Sequence, residues 1–202
     1  MGVAERKAKE KEELRNHILA AAMRLFAEKG VDNVTIRNIA DAAEYSVGTV
    51  YVYFKDKSAI LHALHTQGFS DLRSRFQILT YVADPMERLK ASGHVYVQFA
   101  VENPHMYQLM FSVADPIDHV ECAPDGKWHE GQSTFNFLRN MVQACVDAGH
   151  FGGHQPVALA YLIWGAVHGI CSLSIMKRAS VTELSNPVGE GLAEFLRLLD
   201  KL

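Results

Sequence analysis

Apolar residues recur along this chain mostly at three- and four-residue intervals, the spacing that sets side chains on one face of a helix. Leu14, Ile18, Ala21, Leu25 and Phe26 make the first such stripe. Gly30 closes it, because glycine takes the left-handed backbone of a helix end without penalty. Thr35 stands where an N-cap is needed, with Val34 before it and Ile39 after it placed as a hydrophobic staple, so a short second helix is expected there. Ser46 repeats the device, with Tyr45 and Val50 as the staple pair, and opens a third short helix through Phe54. A tight turn separates the two.

From Asp56 or Ser58 the positions Leu61, Leu64, Phe69 or Leu72, Phe76 and Leu79 predict a long helix on the order of six turns. It ends ahead of Asp84-Pro85, since the residue before a proline avoids helical backbone. Pro85 opens another through Leu89, Val95, Phe99 and Val101, up to Asn103-Pro104. A short helix follows around Met106 to Phe111. Residues 114–126, with Pro116, Pro124, Gly126 and several acids, read as an irregular connection. Residues 128–148, 156–177 and 187–202 then predict three more helices, and no strand-like alternation of useful length occurs. The expected fold is all-α, with about nine helices.

Composition fits that picture. The chain has 202 residues, 49% apolar and 21% charged, which is ordinary for a folded globule with a sizeable core. Uninterrupted apolar runs fall well short of a membrane span and the N-terminus is charged, so neither a membrane span nor a secretory signal is expected, and the expected compartment is the cytoplasm. Cys122, Cys145 and Cys171 are odd in number and lack metal-ligand spacing, which predicts reduced thiols rather than a disulfide framework or a zinc finger.

A net charge of −3 argues against nucleic acid only if charge is spread evenly. Residues 1–57 carry 10 Lys and Arg against 9 Asp and Glu, whereas residues 58–202 carry 10 against 14. The case for DNA therefore rests on placement. Two short helices across a tight turn are what a helix-turn-helix needs, the second helix entering the major groove. That helix carries Ser46, Val47, Gly48, Thr49, Val50, Tyr51, Val52, Tyr53 and Phe54, then Lys55, Asp56 and Lys57. Thr49, Tyr51 and Tyr53 can donate to phosphates, Gly48 lets the backbone approach, and Val47 and Val52 suit thymine methyls. Val50 and Phe54, four apart, face inward.

At these residues the chain resembles the TetR family of transcriptional regulators. The likeness is carried by Thr35-Ile36-Arg37-Asn38-Ile39-Ala40, Ala43, Ser46, Gly48-Thr49-Val50-Tyr51, Tyr53-Phe54-Lys55 and Lys57, preceded by Leu25-Phe26 and Gly30. It implies a three-helix DNA reader, residues 1–57, joined to a larger effector-binding and dimerisation domain, residues 58–202. It also implies that Arg37 reaches a base or phosphate, that Thr49 and Tyr51 touch bases or phosphates, and that Lys57 clamps a phosphate. Thr35 and Ser46 belong to the same DNA-facing set. Two positions depart from the pattern: Glu44 stands where the turn usually has glycine, and Val47 where many relatives have a polar or basic residue.

Further on, the run Phe99 to Tyr107 with Leu109-Met110-Phe111, and the stretch Trp164-Gly165-Ala166-Val167-His168-Gly169, resemble a ligand-domain subclass named for a Trp, His, Gly signature. Trp164 and His168 share a helix face, and Gly165 and Gly169 permit a neighbouring helix to come close. His168 is either a buried imidazole satisfied by a backbone partner or a group that hydrogen-bonds an effector. Phe99, Tyr107, Met110, Phe111, Trp128, Phe137, Met141 and Tyr161 are the other pocket candidates, and each is equally suited to a core. The last two helices, about 156–177 and 187–202, carry surplus apolar faces, with Val188, Leu192, Phe195, Leu199 and Leu202 in one stripe and Leu196 and Leu198 beside it. In the family such helices form a four-helix dimer interface, which implies a homodimer on an inverted-repeat operator.

Rival functions find little footing. His150 and His154 beside Asp147 sit among Gly149, Gly152 and Gly153, which break helical ligand geometry, and His62 and His65 lie on the long fourth helix. No phosphate-cradling glycine loop, serine elbow or HExxH pattern is present, so catalysis has no machinery and no cofactor or metal is expected. A helical ligand-binding protein or a metal or redox sensor without effector-released repression is the alternative. It leaves the two stapled helices unexplained. The expected function is a ligand-responsive repressor that binds operator DNA as a homodimer and is released by a small molecule.

Overall fold

Capped, glycine- and proline-punctuated apolar stripes give nine helices and no strand among the described residues, 2–112 and 128–202, of the computed structural model. In chain order they are α1 (Val3–Lys29), α2 (Ile36–Ala42), α3 (Val47–Tyr53), α4 (Lys57–Phe76), α5 (Pro85–Glu102), α6 (Pro104–Ser112), α7 (His129–Asp147), α8 (Pro156–Ile175) and α9 (Pro187–Leu199). The connection expected at 114–126, with Cys122, lies outside the described residues.

Local chemistry explains most boundaries. Thr35 caps α2 by accepting from the Asn38 amide at 3.2 Å, while Asn38 Oδ1 accepts from the Thr35 amide at 2.9 Å. Ser46 caps α3 by accepting from the Thr49 amide at 3.0 Å. Each cap contributes about 1 kcal/mol. Asp56 accepts from the Ala59 amide at 2.7 Å at the start of α4, and Asp84 from the Glu87 amide at 2.8 Å ahead of Pro85. Val34 and Ile39 are both buried, as a staple requires. Tyr45 departs from its expected staple with Val50: its ring is more than a third exposed and meets His17 edge-on at 5.9 Å.

Other boundaries moved for physical reasons. α1 starts well before Leu14, because the charged run ahead of it pairs along the helix, Arg6 with Glu10 and Lys9 with Glu13. α4 stops at Phe76 and Gln77–Tyr81 tightens into a 3-10 turn, where the Thr80 hydroxyl donates to the Gln77 carbonyl at 2.8 Å. The buried face of α5 runs through Leu89, Ser92, Tyr96 and Phe99, and Val101, expected in that stripe, points outward. α8, at 20 residues, is by length and composition apolar enough to cross a bilayer, and it packs on α5, α7 and α9.

The chain forms two compact units. The first holds the chain up to Gly68 and the end of α6 from Gln108; in it α1 packs on α2 and α2 on α3. Ile18, Ala22, Phe26, Ile39, Val50, Phe54, Leu61 and Leu64 are buried there. The second holds Phe69–Tyr107 and the chain from Trp128 onward, with α8 packed on α5, α7 and α9. Its core joins Met86 and Leu89 of α5, Met141, Val142 and Cys145 of α7, Leu159 and Ile163 of α8, and Leu199 of α9. Phe151, in the glycine-rich loop between α7 and α8, takes φ +57° and is fully buried in that core. Burial of such a ring, worth about 1.5–3 kcal/mol, offsets the left-handed backbone.

Candidate functional site

Two places in the molecule carry chemistry, one in each unit. In the first unit, burial of Val50 and Phe54 leaves the opposite face of α3 outside: Gly48, Tyr51 and Val52 are exposed, Val52 at 74%. Lys55 extends the same face and lies 3.8 Å from Asp56. Val47, Thr49 and Tyr53 are half-buried. The hydroxyls of Thr35, Ser46 and Thr49 are occupied in capping, Ser46 Oγ and Thr49 Oγ1 being 2.8 Å apart. Thr35 thereby fixes the start of α2, and Ser46 and Thr49 fix that of α3. Arg37 on α2 is exposed and makes no hydrogen bond or ion pair among the described residues.

Lys57 has a structural bond of its own. Its ammonium donates to the Val31 carbonyl at 2.9 Å, tying the start of α4 to the loop between α1 and α2. Arg15 lies 5.4 Å over the Phe54 ring, and Arg24 reaches the Ala42 carbonyl at the end of α2 at 3.3 Å. In the turn, Glu44 adopts φ +59°, and the Tyr45 amide closes the helix end on the Ala40 carbonyl at 3.0 Å. This is the left-handed cap that glycine favours, and a residue with a Cβ holds it at a cost of about 1 kcal/mol.

In the second unit polar atoms are gathered inside. Tyr96 of α5, Tyr107 of α6 and Trp164, His168 and Ser172 of α8 form one hydrogen-bonded chain. The Trp164 indole N–H donates to Tyr96 Oη at 3.3 Å, Tyr96 and Tyr107 hydroxyls are 3.1 Å apart, and Tyr107 Oη is 2.7 Å from His168 Nδ1. Ser172 Oγ lies 3.2 Å from His168 Nε2. Burial lowers the His168 pKa, which favours the neutral ring, one nitrogen donating and the other accepting between the Tyr107 and Ser172 hydroxyls. Burial raises both tyrosines, which keeps them protonated donors, and pushes the Cys171 thiol up to about 12 and Cys145 up to about 11. Both cysteines are buried, unpaired thiols.

Trp164 also forms the wall of an adjoining open cavity of about 430 Å³, lined by Trp128, Gly131, Gln132, Phe135 and Tyr161 besides itself. Gly131 is required: a Cβ there would lie 2.3 Å from the Trp128 ring. Trp128 is further fixed edge-on against Phe69 at 5.4 Å, and Trp164 meets Tyr161 at 6.2 Å and Phe135 at 6.2 Å.

The sequence-predicted pocket residues thus separate. Trp128, Tyr161 and Trp164 share the cavity, and Tyr107 and His168 share the polar chain behind it. Phe99 is buried under the Arg75 guanidinium at 5.3 Å, Phe137 stacks on Phe76 at 5.4 Å, and Met141 is in the core. Met110 is buried and Phe111 half-buried at the end of α6. Sequence reasoning passed over Tyr96, Ser172, Gly131, Gln132 and Phe135. A signal existed for the last three, since 128, 131, 132 and 135 follow the i, i+3, i+4, i+7 spacing of one helix face. Asp147, His150 and His154 do not gather: His150 packs on Phe151, and no group of three possible metal ligands occurs among the described residues.

Residues 18–64 match the profile of bacterial regulatory proteins of the tetR family, and residues 89–196 that of tetracyclin repressor-like C-terminal domains. The chain is 48% identical over 164 residues to the HTH-type transcriptional regulator HbdR of Aromatoleum sp. (strain CIB), which spans 78% of this chain and 68% of that protein. It is 33% identical over 152 residues to the HTH-type transcriptional regulator AcrR of Shigella flexneri, across 72% of this chain and 70% of that one. The solved structure of the fatty acid degradation regulator FadR from Bacillus halodurans shares the fold with a TM-score of 0.73 at 18% identity, over 92% of this chain and 93% of that one.

Proposed function

The chain belongs to the TetR family of bacterial regulatory proteins, and on that premise we propose that it is a cytoplasmic repressor whose homodimer holds an inverted-repeat operator and releases it when a small molecule binds. Residues 1–57 read DNA and residues 58–202 bind the effector and the second copy. The observation that carries the reading is the exposed face of α3: with Val50 and Phe54 buried, Tyr51, Val52 and Lys55 stand free to enter a major groove. Arg37 adds a cation from α2, and Lys57 keeps two further N–H donors for phosphate beyond its bond to Val31.

Dimerisation draws on α8 and α9. Ala158, Leu162, Gly165, Gly169, Leu173 and Met176 follow helical spacing along the outer side of α8, and Leu162, Leu173 and Met176 are each more than half exposed. A Cβ on Gly165 or Gly169 would meet open space, so small residues there suit close approach by a helix of another chain rather than packing within this one. Leu198 on α9 and Leu202 beyond its end continue the apolar surface. A two-fold contact through these faces gives two reading heads for two half-sites. The effector acts through α4, which starts in the DNA-reading domain's loop and ends in the second unit, by favouring a dimer whose α3 helices are wrongly spaced for the operator.

The test is a mobility-shift titration on DNA from upstream of the chain's gene, with nonspecific competitor at fixed salt, paired with sedimentation of the free protein. A dimer that retards one fragment specifically, and loses it on Tyr51→Ala, is expected. A monomer, or retardation indifferent to sequence, would contradict the reading.

A further inference from the structure

We infer that the cavity beneath Trp164 holds an uncharged, flat aromatic ring system, and that this is the effector's recognition element; as an effector site it rests on the repressor reading above, while the binding itself does not. Four of the six lining residues are aromatic: Trp128, Phe135, Tyr161 and Trp164. None of the six bears a charge. Besides the Tyr161 hydroxyl and the two indole N–H groups, the lining offers the Gln132 amide, which can donate to and accept from a polar substituent on the ring. An anion seated here would face electron-rich ring faces with no cation among the described lining residues to compensate its lost hydration. Arg73 reaches α7 but spends its guanidinium on Ser133 at 3.4 Å and does not line the cavity.

Rigidity separates a ring from an alkyl chain. Trp128 is wedged between Gly131 and the Phe69 edge, and Trp164 is pinned by its N–H to Tyr96. A slot with fixed walls favours a ligand that is itself flat and rigid, because neither side loses freedom on binding. The volume, about 430 Å³, falls in the range of small-molecule sites and admits a fused-ring compound. Trp164 is also the head of the hydrogen-bonded chain to Tyr96, Tyr107 and His168, so a ring laid against it touches α8 at the residue that ties α8 to α5 and α6.

The chain has two tryptophans and both line this cavity, so tryptophan emission reports on this site alone. The full-length protein, without DNA, is titrated by equilibrium dialysis with β-naphthol, β-naphthoate and decanol, and tryptophan emission is followed in parallel. β-Naphthol is expected to bind and to perturb the emission, about tenfold more tightly than either the anion or the alkyl alcohol. Tyr161→Ala and Gln132→Leu change exposed side chains and leave helical content intact; each weakens β-naphthol, the first by about tenfold. Absence of β-naphthol binding, equal or tighter binding of β-naphthoate or decanol, or indifference to Tyr161→Ala would overturn the assignment. Operator release is measured separately: a protein that binds β-naphthol with this selectivity but holds no specific DNA would remove the repressor reading and leave the ring site standing.

Discussion

In the N-terminal module the apolar side chains Ile39, Val50 and Phe54 are inside, and the groups proposed to meet DNA, Arg37, Tyr51, Val52 and Lys55, stand in solvent. In the second unit the arrangement is reversed. The hydroxyls of Tyr96 and Tyr107 and the imidazole of His168 are gathered behind Trp164, while Leu162, Leu173 and Met176 line an apolar face outside. The difference teaches where stability and function can be separated. Side chains that only meet DNA contribute little to folding, so they can be changed without harm to the fold; a buried polar chain belongs to the fold, so changing it affects stability first.

The largest expected effect is on the outer face of α8. Leu162→Glu is expected to weaken the dimer by about 2–4 kcal/mol and operator affinity with it, read by sedimentation equilibrium and mobility shift. A dimer untouched by this charge would mean that the apolar face has some other purpose. Next come the exposed reading groups: Arg37→Ala and Tyr51→Ala should each lose about 1–3 kcal/mol of operator affinity, with thermal stability within about 0.5 kcal/mol of the parent. Loss of stability alongside affinity would erase the contrast between the two regions.

Tyr107→Phe makes the opposite test. It removes the nearer of the two hydroxyls that face His168 Nδ1 and is expected to destabilise the fold by about 1–3 kcal/mol while ligand-free operator affinity is retained. His168 sharpens the same point through pH. Its folded pKa lies below the ordinary 6.5, so the unfolded chain binds the proton more readily, and stability is full above pH 6.5 and declines as pH falls through the window beneath it. Denaturant midpoints measured across that window should slope accordingly, and the slope should shrink in His168→Gln. The smallest effect is in the turn: Glu44→Gly relieves φ +59° and should add about 0.5–1 kcal/mol, measured by chemical denaturation.

Legibility in the sequence followed the range of the interaction. Thr35 and Ser46 bond to amides three residues away, so both caps, the turn between them and the buried pair Val50 and Phe54 could be read from neighbours along the chain. The awkward turn at Glu44 was visible for the same reason. His168 instead meets a tyrosine 72 positions away, and nothing local to it names Tyr96 as a partner. Pocket and core were inseparable at Phe99, Phe137 and Met141 because one residue type serves both. The apolar stripe of α9 was seen as a whole, yet only packing reveals that Leu192 and Leu199 are spent inside and that Leu198 and Leu202 remain outside. Gly165 and Gly169 were legible as small residues that admit a close neighbour. That no described residue fills the space beside them was not.

The central claim is that two exposed α3 helices act together on one operator. Footprinting on the DNA upstream of the chain's gene, at fixed salt and with excess competitor, tests it most directly. The account predicts a protected inverted repeat whose half-sites lie one helical turn, about 34 Å, or a multiple of it apart. Protection of a single half-site by a monomer, or no sequence-specific protection on DNA that the gene adjoins, would contradict it.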